Sequence, residues 1–165
     1  KASGRISNDL ELRAHHVISD TTIGYYRLAM SRDKITHKHL QGVSDSICED
    51  FSIPKVKIEL QEEAKFFRQN GELQILLGQY FSKESTVLIC STNSKDRELS
   101  SIEIMDTLLH ELVHHIDHVL FKIKSYHNKG FYERIDELFE NLERNSDLRF
   151  GEFKDTELAS IRFAD

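Results

Sequence analysis

The sequence predicts an α+β fold in which helices pack on a small antiparallel or mixed sheet. Apolar residues recur at helical spacing in the first and last thirds of the chain, whereas the middle third shows the alternation of short strands. The 165 residues are enough for one domain with its own core, and 39% of them are hydrophobic, as in ordinary globular proteins. We therefore expect a single domain over residues 1–165.

The sequence predicts helices in the N-terminal part, residues 1–53. Its clearest helix carries Leu40, Val43, Ile47 and Phe51 at steps of three and four residues, which gives one apolar stripe. The chain's single proline follows at position 54 and marks the boundary with the next part.

The sequence predicts a small sheet over residues 54–91. Apolar and polar residues alternate over 55–60, which places the apolar ones on one face of a strand. Asn70 and Gly71 are a strong hairpin signal between two stretches that carry apolar residues. Thr86–Cys90 is rich in β-branched residues and predicts a further short strand.

The sequence predicts two helices over residues 100–143. Ser100 and Glu103 form a capping-box signature just before an apolar run, and nothing breaks the helix before about Ile123. The second helix is expected over about residues 129–143, because its apolar residues repeat at helical spacing.

Residues 144–165 include enough apolar side chains for us to expect a C-terminal tail packed on the body. The order of helices, strands and helices favours α+β, with the helices on one side of the sheet.

Composition narrows the class of protein. There is no run of about 18 apolar residues to cross a membrane, and residues 1–20 lack the apolar core of a signal peptide, so we expect a cytoplasmic protein. The net charge of -6 does not favour nucleic acid as a partner, although a local basic patch is left open. Cys48 and Cys90 are far apart and predict free buried thiols.

The most informative motif is His110-Glu111-Leu112-Val113-His114 in the first of the two C-terminal helices. Histidines four residues apart lie one turn apart on one helix face, where both imidazoles can reach a single zinc ion. The carboxylate of Glu111 projects to the side of that pair, within reach of a water on the metal. The apolar stripe of this helix falls on the opposite side, so we expect the histidine face to look into a cleft.

The spacing after the motif excludes one class of zinc peptidase. A metzincin requires glycine and histidine where this chain has Asp117 and Leu120. His118 shares the histidine face but lies about 12 Å along the helix axis from His110, too far to share one ion.

A catalytic zinc site needs a third protein ligand and one open position. His127 is the best candidate, because it follows the end of the helix and a turn there can bring it back over the first helix. The alternative is a glutamate of the second helix, for which Glu133 and Glu137 are the candidates.

The segment Tyr126–Tyr132, read together with the HELVH motif, resembles SprT-like zinc metallopeptidases, in which an aromatic residue follows the third histidine by four positions. Phe131 holds that position here, whereas Asn128 stands where those proteins often have glycine. The resemblance implies a zincin-like fold with the motif on a long central helix, and it would make Thr86–Cys90 the sheet edge that lines the substrate cleft. This chain has no cysteines for the zinc ribbon of some members, and we do not transfer their role in repairing DNA–protein crosslinks.

The resemblance implies a zinc-dependent metallopeptidase acting on a protein or peptide substrate. The implied ligands are His110, His114 and His127, and Glu111 is the implied general base, which takes a proton from a metal-activated water. Iron, manganese, nickel or cobalt would also suit these ligands. A non-catalytic zinc-binding domain and a dedicated regulatory or toxin-type module on the same scaffold are the alternatives.

Several neighbouring residues have two interpretations each. Tyr126, Tyr132 and Arg134 are candidate donors to an oxyanion, or they pack or contact solvent. Asp117 either orients a ligand histidine or is an exposed carboxylate, and His115 is expected to be a half-buried packing residue. The histidines at positions 15, 16, 37 and 39 are expected at the surface.

Overall fold

The computed structural model describes residues 10–63, 65–92 and 97–146, apart from the side chains of His15 and His16. The helices and strands are as follows, in chain order: α1 Ala14–Val17, α2 Asp20–Met30, α3 His37–Asp50, β1 Lys57–Gln61, β2 Lys65–Gln69, β3 Glu72–Leu76, β4 Gly78–Phe81, β5 Thr86–Cys90, α4 Ser101–Val119 and α5 Lys129–Ser146. The order of helices, strands and helices that the sequence predicts is confirmed for these residues.

The strands form two small sheets. In the larger sheet β5 lies in the middle, parallel to β1 on one side and antiparallel to β4 on the other. The sheet is therefore mixed and the fold is α+β, as predicted. The expectation that Thr86–Cys90 forms the sheet edge is wrong, because β4 pairs along its outer side.

The smaller sheet is the predicted hairpin. Strands β2 and β3 pair antiparallel on either side of Asn70 and Gly71. Both turn residues have positive φ, 54° and 81°, which matches the primed turns that suit the twist of a two-residue hairpin. Asparagine and glycine adopt this conformation at low cost, so the local signal in the sequence was sufficient.

Strand β4 was not predicted as a separate element. The chain leaves the hairpin at Leu77, whose carbonyl accepts a hydrogen bond from the amide of Cys90 (2.8 Å), and then pairs with β5 in the other sheet. The sequence of residues 72–81 does not show that its two halves join different sheets, because pairing depends on distant partners.

The helices pack around one hydrophobic core. Helix α3 packs on β1 and α2, whereas α4 packs on β4, β5 and α5. The predicted apolar stripes of α3 and α5 are both buried in this core. Helix α4 ends at Val119 and not near Ile123, because Lys122 takes a positive φ of 60° and the amide of Ile123 turns back to the carbonyl of Asp117.

Cys48 and Cys90 are free and buried, as predicted. No helix in the described part of the chain is long and apolar enough to cross a membrane. Most of the predicted C-terminal tail, from residue 147 onward, lies outside the described residues. The treatment of residues 1–165 as one domain stays a prediction.

Candidate metal centre

The motif helix α4 is covered on more sides than its sequence predicts. Its N-terminus is closed by the predicted capping box, in which Ser100 accepts from the amide of Glu103 and the Glu103 carboxylate accepts from the amide of Ser100. From residue 107 to 117 every side chain is buried. His110 is 1% exposed and His114 8% exposed, so most of the histidine face is covered, and only its end at His114 and His118 lines a cleft. Helix α5 covers the rest of this face, a tertiary contact that helical phase cannot predict.

Three imidazoles meet where α4 faces the loop before α5. The Nε2 atom of His127 lies 3.2 Å from Nε2 of His110 and 3.3 Å from Nε2 of His114. The ligand atoms of all three residues lie within 4.8 Å of one another. Two nitrogens bound to one zinc at 2.0–2.1 Å in a tetrahedral arrangement are about 3.3 Å apart. The geometry therefore suits one metal ion held by three histidines.

His127 owes its place to the loop between the two helices. Asn128 directly follows it and caps α5, since its side-chain oxygen accepts from the amide of Phe131 (2.9 Å). The asparagine at the position where SprT-like proteins often have glycine thus has a structural role.

Phe131 holds the three rings in place. It is fully buried, stacks on His114 with ring centroids 4.3 Å apart, and lies 4.9 Å from the ring centroid of His110.

Glu111 lies beside the histidine cluster. Its side chain is buried, and one carboxylate oxygen is 3.9 Å from Nε2 of His110. Gly78, the first residue of β4, packs directly against it. A methyl group added at Gly78 would lie 3.2 Å from the Glu111 carboxylate and 2.4 Å from the Thr107 methyl. Sequence analysis missed Gly78, because only the pairing of β4 with β5 brings it to the motif helix.

A chain of polar contacts runs from His114 to Arg134. Nδ1 of His114 is 2.8 Å from the hydroxyl of Ser125, which in turn is hydrogen-bonded to the carboxylate of Asp117. Arg134 donates two bonds to the same carboxylate, at 2.9 and 2.7 Å. Burial raises the pKa of Asp117, while the bonds from Arg134 and Ser125 oppose that rise.

These contacts decide between the two interpretations of Asp117 and of Arg134. Asp117 is fully buried, so its interpretation as an exposed carboxylate is wrong, and it reaches the ligand histidine through Ser125. Arg134 is 1% exposed and engaged with Asp117, so it is not placed to stabilise an oxyanion. Sequence analysis did not identify Ser125, since serine in a loop carries no signal of its own.

His115 is another correction. It is fully buried and not half-buried, and its ring bridges the Tyr80 hydroxyl (2.8 Å) and the Pro54 carbonyl (2.7 Å). Because a carbonyl only accepts, Nε2 carries the proton and Nδ1 accepts from Tyr80. Burial lowers the pKa of His115, which favours this neutral form. The contact ties β4 to α4 beside the histidine cluster.

The two glutamates considered as third ligands lie elsewhere. Glu133 is exposed to solvent, and the Glu137 carboxylate accepts from the amides of Leu12 and Ala14 at the start of α1. His118 is exposed and stands outside the cluster of three.

Of the remaining predicted surface histidines, His37 is exposed, as predicted, and His39 is half-buried. His37 bonds to the carbonyl of Ile58, and His39 takes part in capping α3. The side chains of His15 and His16 are outside the description.

A cleft of about 620 Å³ opens beside His114 and His127. The end of β4 forms one side, with Tyr80 and Ser82. The other side is formed by His118 and by residues 123–126 of the loop before α5. The other predicted oxyanion candidates stay near the cluster: Tyr126 lines this cleft, and the ring centroid of Tyr132 is 6.1 Å from that of His127.

Comparison with known proteins leaves the family open. No family model and no curated protein matches the sequence. Among solved structures, Wss1 from Saccharomyces cerevisiae is similar, with 23% identity and a TM-score of 0.47 over 67% of this chain and 77% of that chain.

Proposed function

We propose that this protein is a zinc-dependent peptidase of the zincin type, with His110, His114 and His127 as metal ligands and Glu111 as general base. The observation that carries the proposal is the convergence of three Nε2 atoms at separations of 3.2 and 3.3 Å, with a carboxylate 3.9 Å from one of them. Three neutral imidazoles are the ligand set of many catalytic zinc sites, which keep a fourth position for water or substrate.

The position of Glu111 supports catalysis over a purely structural site. A structural zinc site needs ligands and no base, yet here a buried carboxylate lies beside the cluster. When bound, zinc lowers the pKa of a coordinated water towards about 7 and polarises a carbonyl. The chain's own part is to hold Glu111 where it can accept the proton of that water and return it to the leaving amine.

The surrounding architecture supports a peptide substrate. Strand β4 starts against Glu111 and runs towards the cleft, so an extended chain could lie along it. The order of sheet, motif helix and third histidine is the one that the resemblance to SprT-like peptidases implies, and we propose that family for this chain.

The proposal is tested by metal content and hydrolysis together. We expect about one zinc per chain in the wild type and in Glu111→Gln, and a large loss of zinc in His127→Ala. His118→Ala is the matched control for metal content, because it removes an imidazole one turn beyond His114 that lies outside the cluster.

Cleavage of a panel of unfolded proteins should require zinc and should fall in Glu111→Gln by at least about a hundredfold. Undiminished hydrolysis in Glu111→Gln would refute its catalytic role. Zinc binding without hydrolysis of any substrate would favour the non-catalytic alternative.

A further inference from the structure

The segment from the last residues of α4 to the first residue of α5 has a charge opposite to that of the whole chain. Residues 118–129, which we call the basic wall, include Lys122, Lys124 and Lys129 and no aspartate or glutamate. The chain as a whole carries a net charge of -6. A local excess of positive charge in an acidic protein attracts negatively charged ligands to that place.

The basic wall faces the cleft beside the candidate metal centre. Lys124 and His118 both line the cleft, and none of the described residues that line it is acidic. The side formed by β4 contributes Tyr80 and Ser82, which are uncharged. Asp117 directly precedes the basic wall, but Arg134 binds its buried carboxylate, so Asp117 does not offset these lysines.

Tyr126 adds an aromatic surface next to this charge. It is 64% exposed, and Nζ of Lys124 lies 5.8 Å from its ring centroid. A cation near an aromatic face is held there weakly, which keeps Lys124 at the cleft. The cleft volume of about 620 Å³ is within the range of ordinary ligand-binding clefts.

We infer that this cleft binds an acidic segment of the protein substrate, with a carboxylate beside Lys124 and Tyr126. The inference rests on the proposed peptidase function and adds a substrate class to it. Nucleic acid is the less favoured ligand, because its binding depends on many phosphate contacts and the basic wall offers three lysines.

Binding is measured with zinc-loaded Glu111→Gln, which keeps the cleft. Fluorescent peptides of one sequence carry either three glutamates or three lysines, and we expect the acidic peptide to bind more tightly at low salt. Lys124→Glu should weaken the acidic peptide roughly tenfold, because an exposed attraction becomes a repulsion of similar modest size. Lys38→Glu makes the same charge change at an exposed position of α3 and should have little effect.

Equal binding of the two peptides would overturn the inference, and so would tighter binding of single-stranded DNA than of the acidic peptide. Because Glu111→Gln measures binding alone, the outcome is separate from catalysis. If the zinc-loaded wild type cleaves no peptide, the peptidase proposal fails even where the acidic preference is found.

A second inference rests on the contacts of Ser125. A serine hydroxyl has one proton, and a carboxylate that already accepts two bonds from Arg134 accepts that proton as well. The oxygen of Ser125 must then accept from Nδ1–H of His114, 2.8 Å away. This tautomer leaves Nε2 of His114 unprotonated and directed at His127.

The geometry points to Ser125 as a positioning residue that selects the metal-binding tautomer of His114. Stacking on Phe131 fixes the plane of the ring but does not distinguish its two nitrogens. This inference also rests on His114 being a metal ligand, although the tautomer can be measured without metal.

Nitrogen NMR of metal-free protein should show a single tautomer of His114, protonated at Nδ1, in the wild type and in Ser125→Thr. Ser125→Ala should give a mixture of tautomers and weaken zinc binding about ten- to a hundredfold in chelator competition. Ser82→Ala removes a hydroxyl from the other side of the cleft and should change neither quantity. An unchanged tautomer in a folded Ser125→Ala would refute the role.

Discussion

Replacing Arg134 by methionine should destabilise the protein strongly, because it leaves a carboxylate buried without its cation. Arg134 is 1% exposed, and it donates two bonds, of 2.9 and 2.7 Å, to the fully buried carboxylate of Asp117. Removing one partner of such a pair costs about 3–5 kcal/mol. A whole domain is stable by only about 5–15 kcal/mol, so the variant should lose a large share of its stability.

Urea unfolding of the metal-free protein measures this loss. With a slope of about 2 kcal/mol per molar, the midpoint of Arg134→Met should fall by roughly 1.5–2.5 M. Asp117→Leu combined with Arg134→Met removes both charges and should recover most of the midpoint, since an apolar pair replaces a buried ion pair at little cost. Arg97→Met is the matched control: Arg97 pairs with Glu103 but is 57% exposed, so its loss should cost less than about 1 kcal/mol.

The stability lost in Arg134→Met should also depend on pH. Burial already raises the pKa of Asp117, and losing Arg134 removes the main group that opposes this rise. A carboxyl with a raised pKa in the folded state contributes stability below its unfolded pKa of about 3.9 and loses it as the pH rises through the folded value. The deficit of Arg134→Met should therefore grow from pH 5 to pH 8. A midpoint unchanged within about 0.3 M, or a double variant as unstable as the single one, would refute the reasoning.

Two further substitutions test the support of the site. Gly78→Ala places a methyl group 2.4 Å from the buried Thr107 methyl and 3.2 Å from the Glu111 carboxylate, so we expect it to lower the free energy of unfolding in urea by about 1–3 kcal/mol and to lower hydrolysis. The control is Gly24→Ala, at an open position on α2, which should not destabilise the protein. Equal urea midpoints for the two variants would contradict this account. Asn128→Ala removes the side-chain cap of α5 and should lower the free energy of unfolding, measured by thermal unfolding, by about 1 kcal/mol. An unchanged free energy would show that the cap does not stabilise the protein.

The features that sequence analysis predicted well depend on neighbours in the chain. The spacing of His110 and His114 follows from helical geometry alone, and the hairpin follows from the conformations open to Asn70 and Gly71. His127 lies with His110 and His114 in one cluster, because a short loop limits where it can lie. Phe131, identified from the resemblance, packs against all three rings of the cluster.

The features that it missed join residues far apart in sequence. Gly78 meets Glu111 only because β4 pairs with β5, and the sequence did not show that β3 ends at Leu76. Tyr80 reaches His115 across 35 positions. A tyrosine, a glycine or a serine is common in any surface loop, so nothing local distinguishes the ones that contact the site.

The sequence by itself therefore determined the chemistry of this protein's candidate centre: an imidazole pair, an adjacent carboxylate and a third imidazole within reach. Only the tertiary structure decided how that centre is held. Helix α5 covers most of the histidine face of α4, and β4 lies beside Glu111. Arg134, which the sequence offered as a candidate oxyanion donor, pairs with Asp117. The physical reason is that helical spacing is a local property, whereas burial and ion pairing depend on segments that meet only when the chain folds.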